Sequence, residues 1–340
     1  MKRKSQLLWF ILLIGFSSCV SYEKYSMEVI KPSRFVIPSE IRKIAIVSRN
    51  LKYKNDTLQN YQALDHKLVR DKIKVNLDSL ARITCIDSLT SKLTTQNRFD
   101  SIVIVPVGFF KEMRVKEVRP NKDEWYKNLA TKTGTDGLIL LDMFSCFYSR
   151  TSDPSIASVV TSNIWSFYDR NKQKITNRYV QIDTLYWDGT DEAGKSNKLL
   201  IPKKEAAVPI AAGMIGSNYS KHIQPSWTLV YRDIMVDNND EFKEAVKLAK
   251  KNEWEAATAI WKKYSESKNK QKRIISLYNL ALASEINGDV DLALKLTSEA
   301  ATASSGAFRS NENEVVRKYS AILYQRKTEI TRLKMQDENL

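Results

Sequence analysis

The chain has 340 residues, with 54 Lys plus Arg against 39 Asp plus Glu, a formal charge of +15 and 43% hydrophobic residues. A mean hydropathy of −0.39 excludes a polytopic membrane protein. The length admits two domains, each large enough to bury a core. Ten Gly and eight Pro leave the composition that of an ordinary globular protein.

The amino terminus sets the compartment. Lys2, Arg3 and Lys4 precede an uninterrupted apolar run from Leu7 to Phe16. A spanning helix needs about 20 apolar residues, so this run is too short to stay in a bilayer and has the layout of a secretory signal. The run ends in Phe16-Ser17-Ser18-Cys19, which resembles the lipobox of bacterial lipoproteins: an apolar residue, two small residues and the acceptor cysteine. The resemblance implies that residues 1–18 are removed and that the Cys19 thiol carries a diacylglyceryl group. Durable anchoring then follows from more than one acyl chain. Loss of Lys2, Arg3 and Lys4 lowers the formal charge to +12. Export argues against nucleic acid as the counter-surface. An anionic membrane or an envelope glycan fits the remaining excess, and so does plain solvated lysine. Cys85 and Cys146 lie in apolar contexts and can pair in an exported protein or stay as small buried hydrophobes.

Residues 19–39 contain Pro32 and Pro38 without clear periodicity and read as a lipidated tether. Only Glu23 stands near Cys19 where an acidic run would favour surface export, which points to the periplasmic face. Strands are expected at 41–47, 136–150, 162–169, 175–187 and 226–236, with SIVIVPV (101–107) as a buried central strand. The apolar spacing of Leu64, Leu68, Val69, Val75, Leu77 and Leu80 predicts a helix. DEWYKNLATK (123–132) predicts another, stopped by Gly134. The small-residue run after Pro202 predicts a third, with Pro209 as a kink or a start. Residues 40–236 therefore read as an α/β or α+β domain, a mixed sheet with packed helices. Its order resembles the α/β domain of curli-assembly and penicillin-binding-protein-activator lipoproteins.

From residue 237 the strand signals stop, and residues 237–340 read as an all-α, TPR-like domain. Ala245 aligns with Ala281, Ala257 with Ala293, Trp261 with Thr297 and Tyr264 with Ala300, each 36 positions apart. That is near the 34-residue tetratricopeptide period. In the second unit Leu277, Leu280, Ala281, Gly288, Ala293 and Ala300 occupy the positions of that repeat, with Gly288-Asp289 as the turn. In the first, Asn252 stands in place of the glycine. Such repeats offer a concave face to a partner segment.

Motifs for catalysis, metals and nucleotides are missing, so the expectation is a non-enzyme without metal or cofactor. His66 is placed in a helix and His222 before Pro225, neither with ligand spacing. Asp136 and Asp142 are six apart on one strand, where a carboxylate pair is weighed against a turn role for Asp136. Trp125, Trp165, Trp187, Trp227, Trp254 and Trp261 suit a core better than glycan stacking. Five D-[S/T]-apolar segments, centred on Thr57, Ser79, Ser88, Ser101 and Thr184, are similar to the O-glycosylation sequon of Bacteroidota. Helix capping is the alternative and suits Asp87.

Taken together, the chain resembles a family of uncharacterised Bacteroidota lipoproteins with an α/β domain and a C-terminal tetratricopeptide segment. The resemblance carries no activity. The expected role is an outer-membrane lipoprotein acting as a protein-interaction scaffold or assembly factor, held to the membrane by its lipid and binding a protein partner through its helices, without nucleic acid. The alternative is a glycan-binding envelope lipoprotein.

Overall fold

The computed structural model describes residues 20–56, 60–70, 77–153, 155–304 and 311–337. In chain order the strands are β1 (Ser21–Lys31), β2 (Lys43–Tyr53), β3 (Tyr61–Leu64), β4 (Lys67–Arg70), β5 (Ser101–Ile104), β6 (Met113–Val115), β7 (Gly137–Ser152), β8 (Ser155–Asp169), β9 (Lys174–Asp188) and β10 (Ser226–Val236). The helices are α1 (Leu77–Thr95), α2 (Asp123–Thr133), α3 (Lys204–Ile223), α4 (Asp240–Lys250), α5 (Trp254–Tyr264), α6 (Lys270–Ile286), α7 (Val290–Ser304) and α8 (Asn311–Asp337). They form a mixed α/β unit over Ser33–Gln224 and a helical unit that joins residues 20–32 to 225–337.

The α/β unit is built on one eight-stranded sheet. β2 pairs in parallel with β5, β6 and β7, and β3 in parallel with β7. β7, β8 and β9 continue as an antiparallel meander. The two faces alternate as strand geometry requires. Ile44 and Ile46 of β2, with Trp165 and Phe167 of β8, pack under α1 and α3. Ala45 and Val47, with Leu138 and Leu140 of β7, pack under Tyr126 and Ala130 of α2. The result is three layers, helices on both sides of the sheet. The small residues of α3 let it lie directly on α1: a Cβ on Gly216 would sit 2.0 Å from the Cys85 carbonyl oxygen. Pro209 lies inside this helix rather than at its start. Gly134 ends α2 at φ 66°, a left-handed cap that glycine adopts without penalty.

Three expectations are corrected here. Of the residues read as a helix, Leu64, Leu68 and Val69 lie in a hairpin, β3 and β4, whereas Leu77 and Leu80 begin α1, and Val75 lies outside the described residues. Asp65 and His66 both take positive φ, 47° and 64°, which makes the two-residue turn matched to strand twist. The Asp65 carboxylate fixes that turn by accepting from the Ser152 N–H (2.6 Å) and Oγ (3.0 Å). Apolar residues bunched on a short hairpin imitate helical spacing. The run at 101–107 is not central: β5 pairs with β2 and is half-exposed, because β7 takes the middle of the sheet. The tether is not a tether over most of its length. Ser21–Lys31 is a strand, paired antiparallel to β10 from Ser21↔Val236 to Lys31↔Ser226. β10, expected as the last strand of the first domain, belongs instead with this partner in the helical unit.

Candidate interaction groove in the helical unit

The helical unit consists of α4 to α8 and the β1–β10 ribbon. Asn239 caps α4 by accepting from the Glu241 N–H, and Asn269 caps α6 by accepting from the Lys272 N–H. α4 and α5 pack as one antiparallel pair and α6 and α7 as a second. Asn252 closes the first pair at φ 64° and Gly288 the second at φ 83°. Asn is the residue other than Gly that best tolerates this region, which accounts for its standing where a turn glycine is otherwise expected. Ala245, Ala257, Trp261, Leu277, Leu280, Ala281, Ala293 and Ala300 are all buried in one continuous core. The alanines set the close approach of paired helices.

α6 is buried around most of its circumference, and its two sides meet different partners. On one side lies the ribbon. The Asn279 side chain accepts from the Met235 N–H (2.9 Å) and donates to the Met235 carbonyl (2.8 Å), so a side-chain amide satisfies the free edge of β10 as a further strand would. Arg232 of β10 makes a two-pronged pair with Glu285, Nε to Oε2 at 2.9 Å and Nη2 to Oε1 at 2.7 Å, and the Tyr319 hydroxyl donates to the same carboxylate at 2.8 Å. Burial, followed by the adjacent Glu285 carboxylate, holds the Tyr319 hydroxyl well above its ordinary range. α4 also packs on β10, and α8 runs along β1, where Arg326 donates to the Ile30 carbonyl. One side of α4 and α6 is thus occupied by the chain's own ribbon.

On the other side of α6 an open groove of about 470 Å³ remains, with α5 and α7 as its walls. Leu277, Leu280 and Ala283 of α6 form the floor, each presenting only an edge to the groove and at most 7% exposed. These residues recur every three or four positions and share one face. Leu292, 42% exposed, and Leu296 stand on the α7 wall. Lys262 and Arg273 supply positive charge at the rim, and Glu266 and Glu299 negative charge. An apolar floor with a rim of both signs suits an amphipathic segment that places its apolar stripe downward.

The remaining site residues are dispersed. Cys19 and Thr57 lie outside the described residues. Ser79 and Ser88 are half-buried on α1, Ser101 is exposed at the start of β5, and Thr184 is half-buried in β9. Asp87 is mid-helix, so it caps nothing. Asp136 accepts from the backbone N–H groups of Arg42 (3.2 Å) and Lys43 (2.9 Å). Asp142 is buried against Arg49 (3.0 Å) and the Ser166 hydroxyl (2.6 Å). A register shift between Leu141 and Met143 falls at Asp142, and the two aspartates form no pair. His66 is in the β3–β4 turn, and His222 is buried, stacked on Tyr179 at 3.9 Å. Cys85 and Cys146 are free thiols. Trp165, Trp254 and Trp261 are core residues, but Trp227 is 64% exposed and leaves the core reading. Among the described residues, no three His, Cys, Asp or Glu side chains gather as a metal-binding set, and no helix is long and apolar enough to cross a membrane.

Sequence reasoning missed the ribbon and the residues that seat it. The apolar alternation Tyr25, Met27, Val29 was available in β1, yet its partner strand lies some two hundred positions further on. Asn279, a polar residue inside the apolar run of α6, was the local signal of a buried hydrogen-bonding duty.

Two family models match the chain: Domain of unknown function (DUF8603) over residues 41–234, and Domain of unknown function (DUF6340) over residues 243–325. No curated protein matches it. Among solved structures it is similar to a PelC dodecamer from Paraburkholderia phytofirmans (9% identity, 59% of this chain and 99% of that chain, TM-score 0.28). It is also similar to a DUF330 protein from Xanthomonas campestris (10% identity, 56% and 90%, TM-score 0.31). A third similarity is to a minor lipoprotein from Acinetobacter baumannii (9% identity, 55% and 96%, TM-score 0.24). The match to the first family model spans more than half of the sequence, and the chain belongs to the family of Domain of unknown function (DUF8603).

Proposed function

We propose that the protein is a non-enzymatic interaction scaffold or assembly factor of the cell envelope, anchored by acyl chains on Cys19 at the periplasmic face of the outer membrane. It captures a protein partner in the groove floored by α6. The observation that carries this reading is the groove itself: apolar along Leu277, Leu280 and Ala283, and charged in both signs at its rim. The helical pairs are TPR-like. Their support is the recurrence of one spacing in both sequence and backbone, with left-handed Asn252 and Gly288 36 positions apart and α5 and α7 starting at Trp254 and Val290. The partner surface lies on the side away from the ribbon. The anchor is supported by the Phe16-Ser17-Ser18-Cys19 segment.

The test is in-cell photo-crosslinking from an aryl azide placed at Leu292. The expected product is a discrete protein adduct that disappears in an Arg273→Glu, Leu296→Asp variant of unchanged helical content. An adduct that persists in that variant overturns the groove as the docking site.

A further inference from the structure

The β1–β10 ribbon has two faces, and only one of them is covered by the helices along its whole length. Side chains alternate, so Tyr22, Lys24, Ser26, Glu28 and Ile30 of β1 share a face with Met235, Asp233, Tyr231, Leu229 and Trp227 of β10. Along that face Trp227 is 64% exposed, Leu229 52%, Tyr231 61% and Tyr22 37%. Trp227, Leu229 and Tyr231 follow one another along β10, and three large apolar or amphipathic residues in one file are not a scattered surface feature. The opposite face, with Tyr25 and Ile234, packs into the helical core, and so does Met235 at the β1 start of the first face, so the exposed stretch is the one from Tyr231 to Trp227. Lys24 and Asp233 neutralise each other at 2.6 Å. Glu28 is the remaining charge of the exposed face among the described residues.

The position of this face relative to Cys19 decides what covers it. Ser21 opens β1, so only Val20 separates the strand from the cysteine. Two residues of extended chain reach about 7 Å. An acyl anchor at Cys19 therefore holds the Ser21 end of the ribbon at the bilayer surface. Tyr22 lies beside the anchor, and the exposed file ends at Trp227 about 27 Å further along the ribbon. Trp and Tyr settle at the membrane–water interface, where their rings meet lipid and their polar atoms stay wet.

We propose that the exposed stretch of the ribbon's outer face rests on the lipid bilayer, with Trp227, Leu229 and Tyr231 seated in the interface. This rests on the acyl-anchor reading of Cys19. The lipid then acts as one end of a line of contact, and the ribbon fixes the orientation of the helical unit on the membrane. Because the face carries little net charge, contact is apolar and insensitive to salt.

The experiment uses the processed, acylated chain in vesicles of phosphatidylethanolamine and phosphatidylcholine brominated near the head of the acyl chain. Bromine quenches tryptophan only at contact. Wild type is expected to lose fluorescence, and Trp227→Phe to reduce that loss at least about threefold, since the other tryptophans are covered in part or whole. High salt leaves the quenching unchanged. Incorporation of radiolabelled palmitate, compared with Cys19→Ala, reads the anchor separately. Acylation without quenching of Trp227 overturns the ribbon proposal and leaves the anchor reading intact. No acylation overturns both. A shift of Trp227 emission that needs no vesicle, appearing with protein concentration or with soluble envelope glycan, assigns the face to a second copy or to a sugar and overturns the membrane assignment.

Discussion

Each unit of the molecule buries an arginine–carboxylate pair, and the two pairs are supported differently. In the α/β unit Arg49 pairs with Asp142, but its guanidinium also donates to the Arg119 carbonyl (3.0 Å) and the Asn121 side chain (2.8 Å) and lies 5.8 Å above Trp125. In the helical unit both forks of Arg232 go to Glu285, and its one further partner is the neighbouring Tyr231 carbonyl. Burial raises the Asp142 carboxyl above its ordinary range in spite of Arg49. The first pair is thus one member of a network with alternatives. The second is a joint with no such alternatives, and together with the Asn279–Met235 hydrogen bonds it seats β10 against α6.

Breaking the joint should therefore have the largest effect. Glu285→Ala leaves Arg232 buried and unpaired and frees the Tyr319 hydroxyl, an expected loss of about 4 kcal/mol. Chemical denaturation followed by Trp254 and Trp261 emission should show the helical unit unfolding earlier, with the α/β transition unmoved. A variant in which both transitions shift together would contradict the separation of the two joints.

A second difference is acid sensitivity. Burial, with a smaller contribution from Arg34, depresses His222 to about 4. The unfolded chain takes up that proton first, near pH 6.5. Stability of the α/β unit should accordingly fall as pH drops from about 6.5 to about 4, by up to about 3 kcal/mol, and this contribution should level off below that window. The readout is the difference between wild type and His222→Phe across that range, because carboxylates titrate in both proteins. A difference independent of pH would show that the imidazole is already charged in the folded state.

Asp142→Asn is expected to lose less, about 2 kcal/mol, because Arg49 retains its other acceptors and a neutral amide replaces a carboxyl that burial already disfavours as a charge. A loss as large as that of Glu285→Ala would erase the contrast between network and joint.

Local features of this architecture were legible in the sequence, and distant pairings were not. The cap at Gly134, the meander around RNKQK and the alanine pattern of the helical pairs are each written within a few neighbouring residues. The ribbon is not, because Tyr22 and Met235 meet across almost the whole chain. The same limit applies to the groove. Leu277 and Leu280 announce a buried helix face, but nothing near them says that the ribbon covers the other side and leaves this one open. Trp227 was assigned to the core because it sits in a strand. Its exposure depends on which face of a two-stranded ribbon the helices cover.

One consequence follows from how the α/β unit begins and ends. The Arg34 and Phe35 N–H groups both donate to the His222 carbonyl, at 3.0 and 2.9 Å. The unit is an insertion within a hairpin, and its own fold brings the hairpin's two arms together. In an open chain, joining β1 to β10 closes a loop of about 200 residues, an entropic penalty of about 5 kcal/mol. Once the insertion has folded, that penalty has largely been met. Folding of the α/β unit thereby lowers the entropic cost of pairing β1 with β10.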